Sequence, residues 1–253
     1  MVKGISFDFW DTLFIDDSDE EKRAGMGLRS KEEERFHLLV THLSLEEGCS
    51  PSLEKAVIYE KKWFEHQWKV SHRTPNVEER VKKICDNLKV DWNTEAISEI
   101  VSKFENMEVD IQPDPLEGCF NVLKDLSKDY KLAITSDTIY TPGEGIRKIL
   151  KNHKMFDYFK CFSFSNEVGS SKPKKEIFSN TLKGLDLDAK EVVHIGDRLY
   201  NDIKGGQESG LRTIWLNLKT RGKGKVEQEV QADFEIGSLD ELPQALKSFS
   251  TLS

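Results

Sequence analysis

Six short apolar runs are spread unevenly along the chain: GISFDFW (4–10), KLAITS (131–136), CFSFS (161–165), VVHIGD (192–197), RTIWLN (212–217) and DFEI (233–236). Runs of this length, bounded by polar or glycine positions, predict buried strands. Between the later ones, GCFNVLKDLSKD and KEIFSNTLKGL carry their apolar residues at helical spacing. Strand and helix in alternation predict an α/β fold built on a doubly wound, mostly parallel sheet. In such sheets ligands gather at the carboxyl ends of the strands.

The first two runs break that rhythm. Between Trp10 and Asp114 the pattern is helical, over 31–47, 51–70, 76–88 and 94–107. Ser30 with Glu33 and Asn76 with Glu79 form capping-box pairs, and Ser50–Pro51 opens the second of these helices. The pattern therefore predicts a core domain of residues 1–15 and 113–253, with a helical domain, 16–112, inserted after the first strand. Trp63, Phe64 and Trp68 have the spacing of helical core, and the acidic run 16–21 that of a solvated loop. His66, Lys69, His72 and Arg73 gather on one stretch that is a candidate specificity patch; Arg23 and Arg29 are another. Residues 219–229 read as a solvated loop, and the last residues as a frayed helix.

A net charge of -8 argues against a nucleic-acid or membrane-surface partner, either of which favours a basic face. No run approaches the roughly 18 apolar residues of a membrane span. The N-terminus lacks the apolar stretch of a signal peptide. Cys49, Cys85, Cys119 and Cys161 are widely spaced and read as reduced core thiols, not as disulfides or zinc ligands. These features together predict a cytoplasmic protein.

The candidate chemistry lies at the strand ends. Asp8 ends the first apolar alternation, Ser136 and Asp137 end the second run, Asp197 ends the fourth inside GDRLYND, and Lys172 precedes a helix in SSKPKKEIF. A hydroxyl, an ammonium and backbone amides suit an oxyanion such as phosphate. Carboxylates suit Mg²⁺, and one of them can act as a nucleophile. Thr141, Pro142 and Glu144 read as a helix start, and His194 as a satisfied core histidine.

In this order DFWDTL, AITSD, SSKPKKEIF and HIGDRLYND resemble the four motifs of the haloacid dehalogenase (HAD) superfamily, and the resemblance covers nearly the whole chain. It implies a Rossmann-like core with a helical cap of the C1 type. It also implies a Mg²⁺-dependent phosphohydrolase with a small phosphorylated substrate. Asp8 would be the nucleophile. The Trp10 backbone carbonyl and Asp197 would complete the metal ligands, with Asp202 orienting Lys172 or the metal's waters. Ser136, Asp137 and Lys172 would form the phosphate site. One position departs from the pattern. HAD phosphatases usually carry a second aspartate two residues after the nucleophile to protonate the leaving group, and this chain has Trp10 there. Dehalogenases of the superfamily have an aromatic residue at that position but tend to lack the GDxxxxD string kept at Gly196–Asp202. A 2-haloacid dehalogenase, or a catalytically impaired protein that binds a ligand or partner, is the alternative.

Overall fold

The computed structural model describes residues 1–43, 50–91, 94–218 and 230–251. The expected loop at 219–229, the end of the helix expected over 31–47, and Cys49 lie outside the described residues.

Among the described residues six strands form one sheet: β1 (Gly4–Phe7), β2 (Lys131–Ser136), β3 (Phe159–Phe164), β4 (Val192–Gly196), β5 (Arg212–Leu216) and β6 (Phe234–Ile236). Their order is β3-β2-β1-β4-β5-β6, and every pairing is parallel. The order reverses at β1, as in a doubly wound sheet. All four residues of β1 are buried, as both faces of a parallel sheet are covered.

The chain divides into two compact units: one of residues 1–16, 114–137 and 150–253, the other of residues 17–113 and 138–149. The sheet belongs to the first. Among the described residues the second holds α1 (Ser18–Gly25), α2 (Lys31–His42), α3 (Ser50–Lys69), α4 (Val77–Leu88) and α5 (Thr94–Asp110), with most of a further helix, Gly143–Asn152. Leu39, Leu53, Val81, Ile100 and Phe104 are at the centre of its core. Both capping boxes form. Replacing Asn76 by Ala removes the acceptor for the Glu79 N–H, 2.8 Å away. We expect a cost of about 1 kcal/mol, read as a lower urea midpoint.

Three details differ from the pattern reading. β1 ends at Phe7, three residues before the apolar run does, because the chain turns there: Leu13 and Phe14 donate their N–H to the Phe9 carbonyl, and the Phe9 and Phe14 rings stack at 4.8 Å. The acidic run is not a solvated loop, since it enters α1 and buries Asp19 completely. Lys31 Nζ, itself buried, lies 2.8 Å from Asp19, 2.9 Å from Glu108 and 2.9 Å from Asp17. The third difference is the segment 138–149, which joins the helical unit. Arg80 donates to the Ile139 carbonyl at 3.0 Å and to the Tyr140 hydroxyl at 2.7 Å, while Thr141 donates to Glu108. Gly145 leaves room there for Thr141 and Val109, where a Cβ would meet their side chains at 2.7 and 3.2 Å.

Cys85 and Cys119 are buried free thiols, and Cys161 is a half-buried one. Among the described residues no helix is long and apolar enough to cross a membrane.

Candidate active site

Parallel register aligns the carboxyl ends of the three central strands. Phe7 pairs with Ile134 on one side and with Ile195 on the other. The Asp8 N–H then donates to the Ile195 carbonyl at 2.8 Å, which carries the pairing one residue beyond the strand. Asp8 is thereby set beside Ser136–Asp137 at the end of β2 and Asp197 just beyond β4.

Lys172 reaches this cluster from the loop before the helix Lys175–Leu185. It is no solvated helix-start residue: its side chain is 3% exposed, with Nζ 2.7 Å from Asp8 Oδ1 and 2.6 Å from Asp202 Oδ1. Its backbone N–H donates to Asp137 Oδ1 at 2.9 Å, and Asn201 Nδ2 donates to Asp137 Oδ2 at 3.4 Å. The Asp137 side chain thus fastens the Lys172 loop. Ser136 is fully buried, and its hydroxyl donates to the Asp137 carbonyl at a long 3.4 Å.

Asp202 lies in a π-helical turn, Leu199–Lys204, where the Arg198 carbonyl accepts from both Asp202 N–H at 2.9 Å and Ile203 N–H at 3.4 Å. Such wide turns recur at functional sites. Its Oδ1 also meets His194 Nε2 at 3.2 Å, and its Oδ2 accepts from the Arg198 N–H at 3.0 Å. Gly196 is glycine for a steric reason: a Cβ there would come within 2.2 Å of Asp202 Cγ.

The electrostatics are lopsided. Four carboxylates, Asp8, Asp137, Asp197 and Asp202, face two cations, Lys172 and Arg198. Burial pulls the Lys172 ammonium down, but Asp202, Asp8 and Asp137 outweigh it and hold it above the ordinary lysine range. Burial raises Asp202, while Lys172 and His194 more than offset that and leave it well below the usual carboxylate range. For Asp197 the one opposing charge, Arg198, is outweighed. Burial, then the charges of Asp202 and Asp8, push it up to about 8. Oxygens of Asp8, Asp197 and Asp202 lie within 4.8 Å of one another, a donor set suited to a hard cation.

The family model for haloacid dehalogenase-like hydrolases matches residues 55–216. The chain belongs to that family. The HAD-hydrolase YfnB of Bacillus subtilis is 30% identical over 54% of this chain and 57% of its own length. A glyceraldehyde 3-phosphate phosphatase of Methanocaldococcus jannaschii is 27% identical over 98% of both chains. Of four curated relatives that match at 30% identity or more, the chain spans between 35% and 57% of the length. Among solved structures, a 2-haloacid dehalogenase of Pseudomonas syringae superposes with a TM-score of 0.67 at 19% identity, over 98% of this chain and 100% of that one.

Within this HAD frame Trp10 is half-buried, with its ring edge-on to Phe9 at 4.8 Å. Residues 8–14 are a turn in which Asp11 takes φ 53°, and its carboxylate accepts the Asp16 N–H at 3.0 Å.

Three residues were missed as neighbours of the site. His194 is a satisfied core histidine, but the groups satisfying it are Asp202 and Ser6, the latter at 3.0 Å from Nδ1. An ionised Asp202 only accepts, so Nε2 carries a proton, and in the neutral ring Nδ1 then accepts from the Ser6 hydroxyl. Asn201 fastens Asp137, and Trp215 Nε1 donates to the Asp197 carbonyl at 2.8 Å. His194 and Asn201 stand inside HIGDRLYND and Trp215 outside every motif; the parallel pairing and the π turn bring all three to the site. Of the candidate specificity residues, Lys69 pairs with Glu65, Arg73 with Glu79 and Arg29 with Glu34, while Arg23 is buried and donates to the Arg29 carbonyl. Phe64 is core, and Trp63 and Trp68 are half-buried.

Proposed function

We propose that this chain is a Mg²⁺-dependent phosphohydrolase that acts on a small phosphorylated metabolite through a phosphoryl-aspartate at Asp8. The observation that carries the reading is the convergence of Asp8, Asp197 and Asp202 oxygens within 4.8 Å beside a buried Lys172. Displacing a halide from carbon calls for no such cluster. The excess of carboxylates fits a divalent cation, which Asp8, Asp197 and the Trp10 carbonyl would hold. When bound, it would neutralise charge between Asp8 and the phosphoryl oxygens.

The protein's own groups then divide the work. Lys172 Nζ and the Ser136 hydroxyl donate to phosphoryl oxygens. An Asp8 carboxylate oxygen attacks phosphorus as the bond from phosphorus to the leaving oxygen breaks. Water next attacks the phosphoryl-aspartate, releasing inorganic phosphate and restoring Asp8. Asp202 and His194 keep Lys172 in place. With Trp10 at the position of the usual acid, the leaving oxygen departs as an anion or takes its proton from solvent or from the substrate. Leaving groups that are stable as anions are therefore favoured.

Trp10 also supports a second reading, a 2-haloacid dehalogenase in which Asp8 attacks carbon. Turnover of p-nitrophenyl phosphate with and without Mg²⁺, beside halide release from 2-chloropropionate, separates the two. Phosphate release that requires Mg²⁺, without halide release, is the expected result; halide release independent of Mg²⁺ refutes it.

Binding to the native state stabilises it, so Mg²⁺ at ten times its Kd should add about 1.4 kcal/mol. That is a rise in Tm of about 3–5 °C for a chain of this size. Asp197→Asn should weaken the response. An unchanged response in that variant places the ion elsewhere.

A further inference from the structure

The helical unit contains a pocket of about 240 Å³ lined by Arg35, Phe36, Leu39, Arg80, Phe104 and Tyr140. Its charges are almost all spoken for. Arg80 and Glu60, both buried, form a forked pair at 2.6 and 3.4 Å, and Lys61 is paired with Glu32 at 2.5 Å. Arg35 is the exception. Its guanidinium lies over the Tyr140 ring at 3.5 Å, and its buried Nε has no hydrogen-bond partner among the described residues. Among the described residues no acidic side chain lies within ion-pair distance of it; the charges of Glu108 and Asp17 act on it only from farther off, and Arg80, whose guanidinium lies over the same ring at 3.9 Å, adds like charge. A buried polar group without a partner is costly, and a buried charge more so.

We propose that this pocket is a binding site for a small organic carboxylate with an apolar body, recognised by Arg35. Three features set that chemistry. Among the charges lining the pocket, Glu32 and Glu60 against Arg35, Lys61 and Arg80, one cation is in excess, which calls for a monoanion. A planar fork whose face is covered by an aromatic ring leaves its edge donors for a planar carboxylate. The remaining wall, with Val57, Val81 and Ile84, is apolar. Size agrees too: about 150 Å³ holds benzene, so this pocket has room for an aromatic ring and a carboxylate. Burial depresses the Arg35 guanidinium, and an anion there would relieve that. The site is made wholly of helical-unit residues and does not depend on the phosphoryl chemistry at Asp8.

Benzoate is the probe, with benzyl alcohol as its uncharged counterpart and inorganic phosphate as a competitor for the Asp8 site. Calorimetric titration of the full chain should show benzoate binding about ten- to a hundredfold more tightly than benzyl alcohol, the range for a hydrogen-bonded charge. Saturating phosphate should leave that binding unchanged. Arg35→Gln should abolish the preference for benzoate and, by removing an unbalanced charge, should not lower Tm; Arg35→Lys should keep part of the preference. Competitive inhibition of aryl phosphate turnover by benzoate would assign the pocket to a carboxylate of the substrate, and non-competitive inhibition to a separate ligand. Benzoate binding equal to that of benzyl alcohol, or unaltered by Arg35→Gln, overturns the proposal.

Discussion

Asp8→Asn is expected to lower phosphate release from p-nitrophenyl phosphate by about 10⁴-fold or more, since loss of the nucleophile costs nearly as much as loss of the whole catalytic set. The amide keeps the shape of the side chain but cannot form a phosphoryl bond that water would hydrolyse. Its effect on stability has the opposite sign to that of an ordinary buried-charge deletion. Lys172 keeps Asp202 at 2.6 Å, and Asp197, pushed up to about 8 by burial and by Asp202 and Asp8, loses one of the charges that repel it. Without metal the variant should therefore melt no lower than the parent. An inactive variant with an unchanged or higher Tm identifies a catalytic loss; an active one removes Asp8 from the chemistry.

Trp10→Asp is expected to raise the rate on alkyl phosphates by about 10²-fold, the low end of general acid catalysis, and to change aryl phosphates much less. A nitrophenolate leaves without help, whereas an alkoxide needs a proton. Full burial of a Trp would make its truncation cost about 3–5 kcal/mol, but Trp10 is only half-buried, so the loss should be smaller. The parent should show the matching defect, a steep fall in rate as the leaving group becomes more basic. Thermal melting beside the kinetics distinguishes a damaged fold from a wrong assignment. A stable variant with no selective gain on alkyl esters shows that the proton has another source.

Where hydrophobic periodicity decides structure, it could be read directly. β2 coincides with KLAITS residue for residue, and β4 and β5 stop one residue short of their runs. The central pair of Asp8 and Lys172 was legible because each stands at a strand end or before a helix. Polar bonds carried what could not be read. Phe9 and Trp10 prolong an apolar pattern that the chain abandons for a turn closed by hydrogen bonds. α1 was missed because the residues it buries are Asp19 and Arg23, which no apolar stripe announces. Segment 138–149 is tied to the helical unit by Arg80, Tyr140, Thr141 and Glu108. His194 looked like core because it is core; its link to Asp202, eight residues on, depends on the π turn.

The central claim is that a phosphoryl group passes through Asp8. Its most direct test is a single turnover of aryl phosphate with Mg²⁺, quenched in acid and followed by mass spectrometry of the peptide that contains FDFWDTLF. The account predicts a phosphoryl adduct on Asp8, absent from Asp8→Asn. An adduct that contains the carbon skeleton of a halo-acid under matching conditions, or phosphate release with no adduct on Asp8, contradicts it.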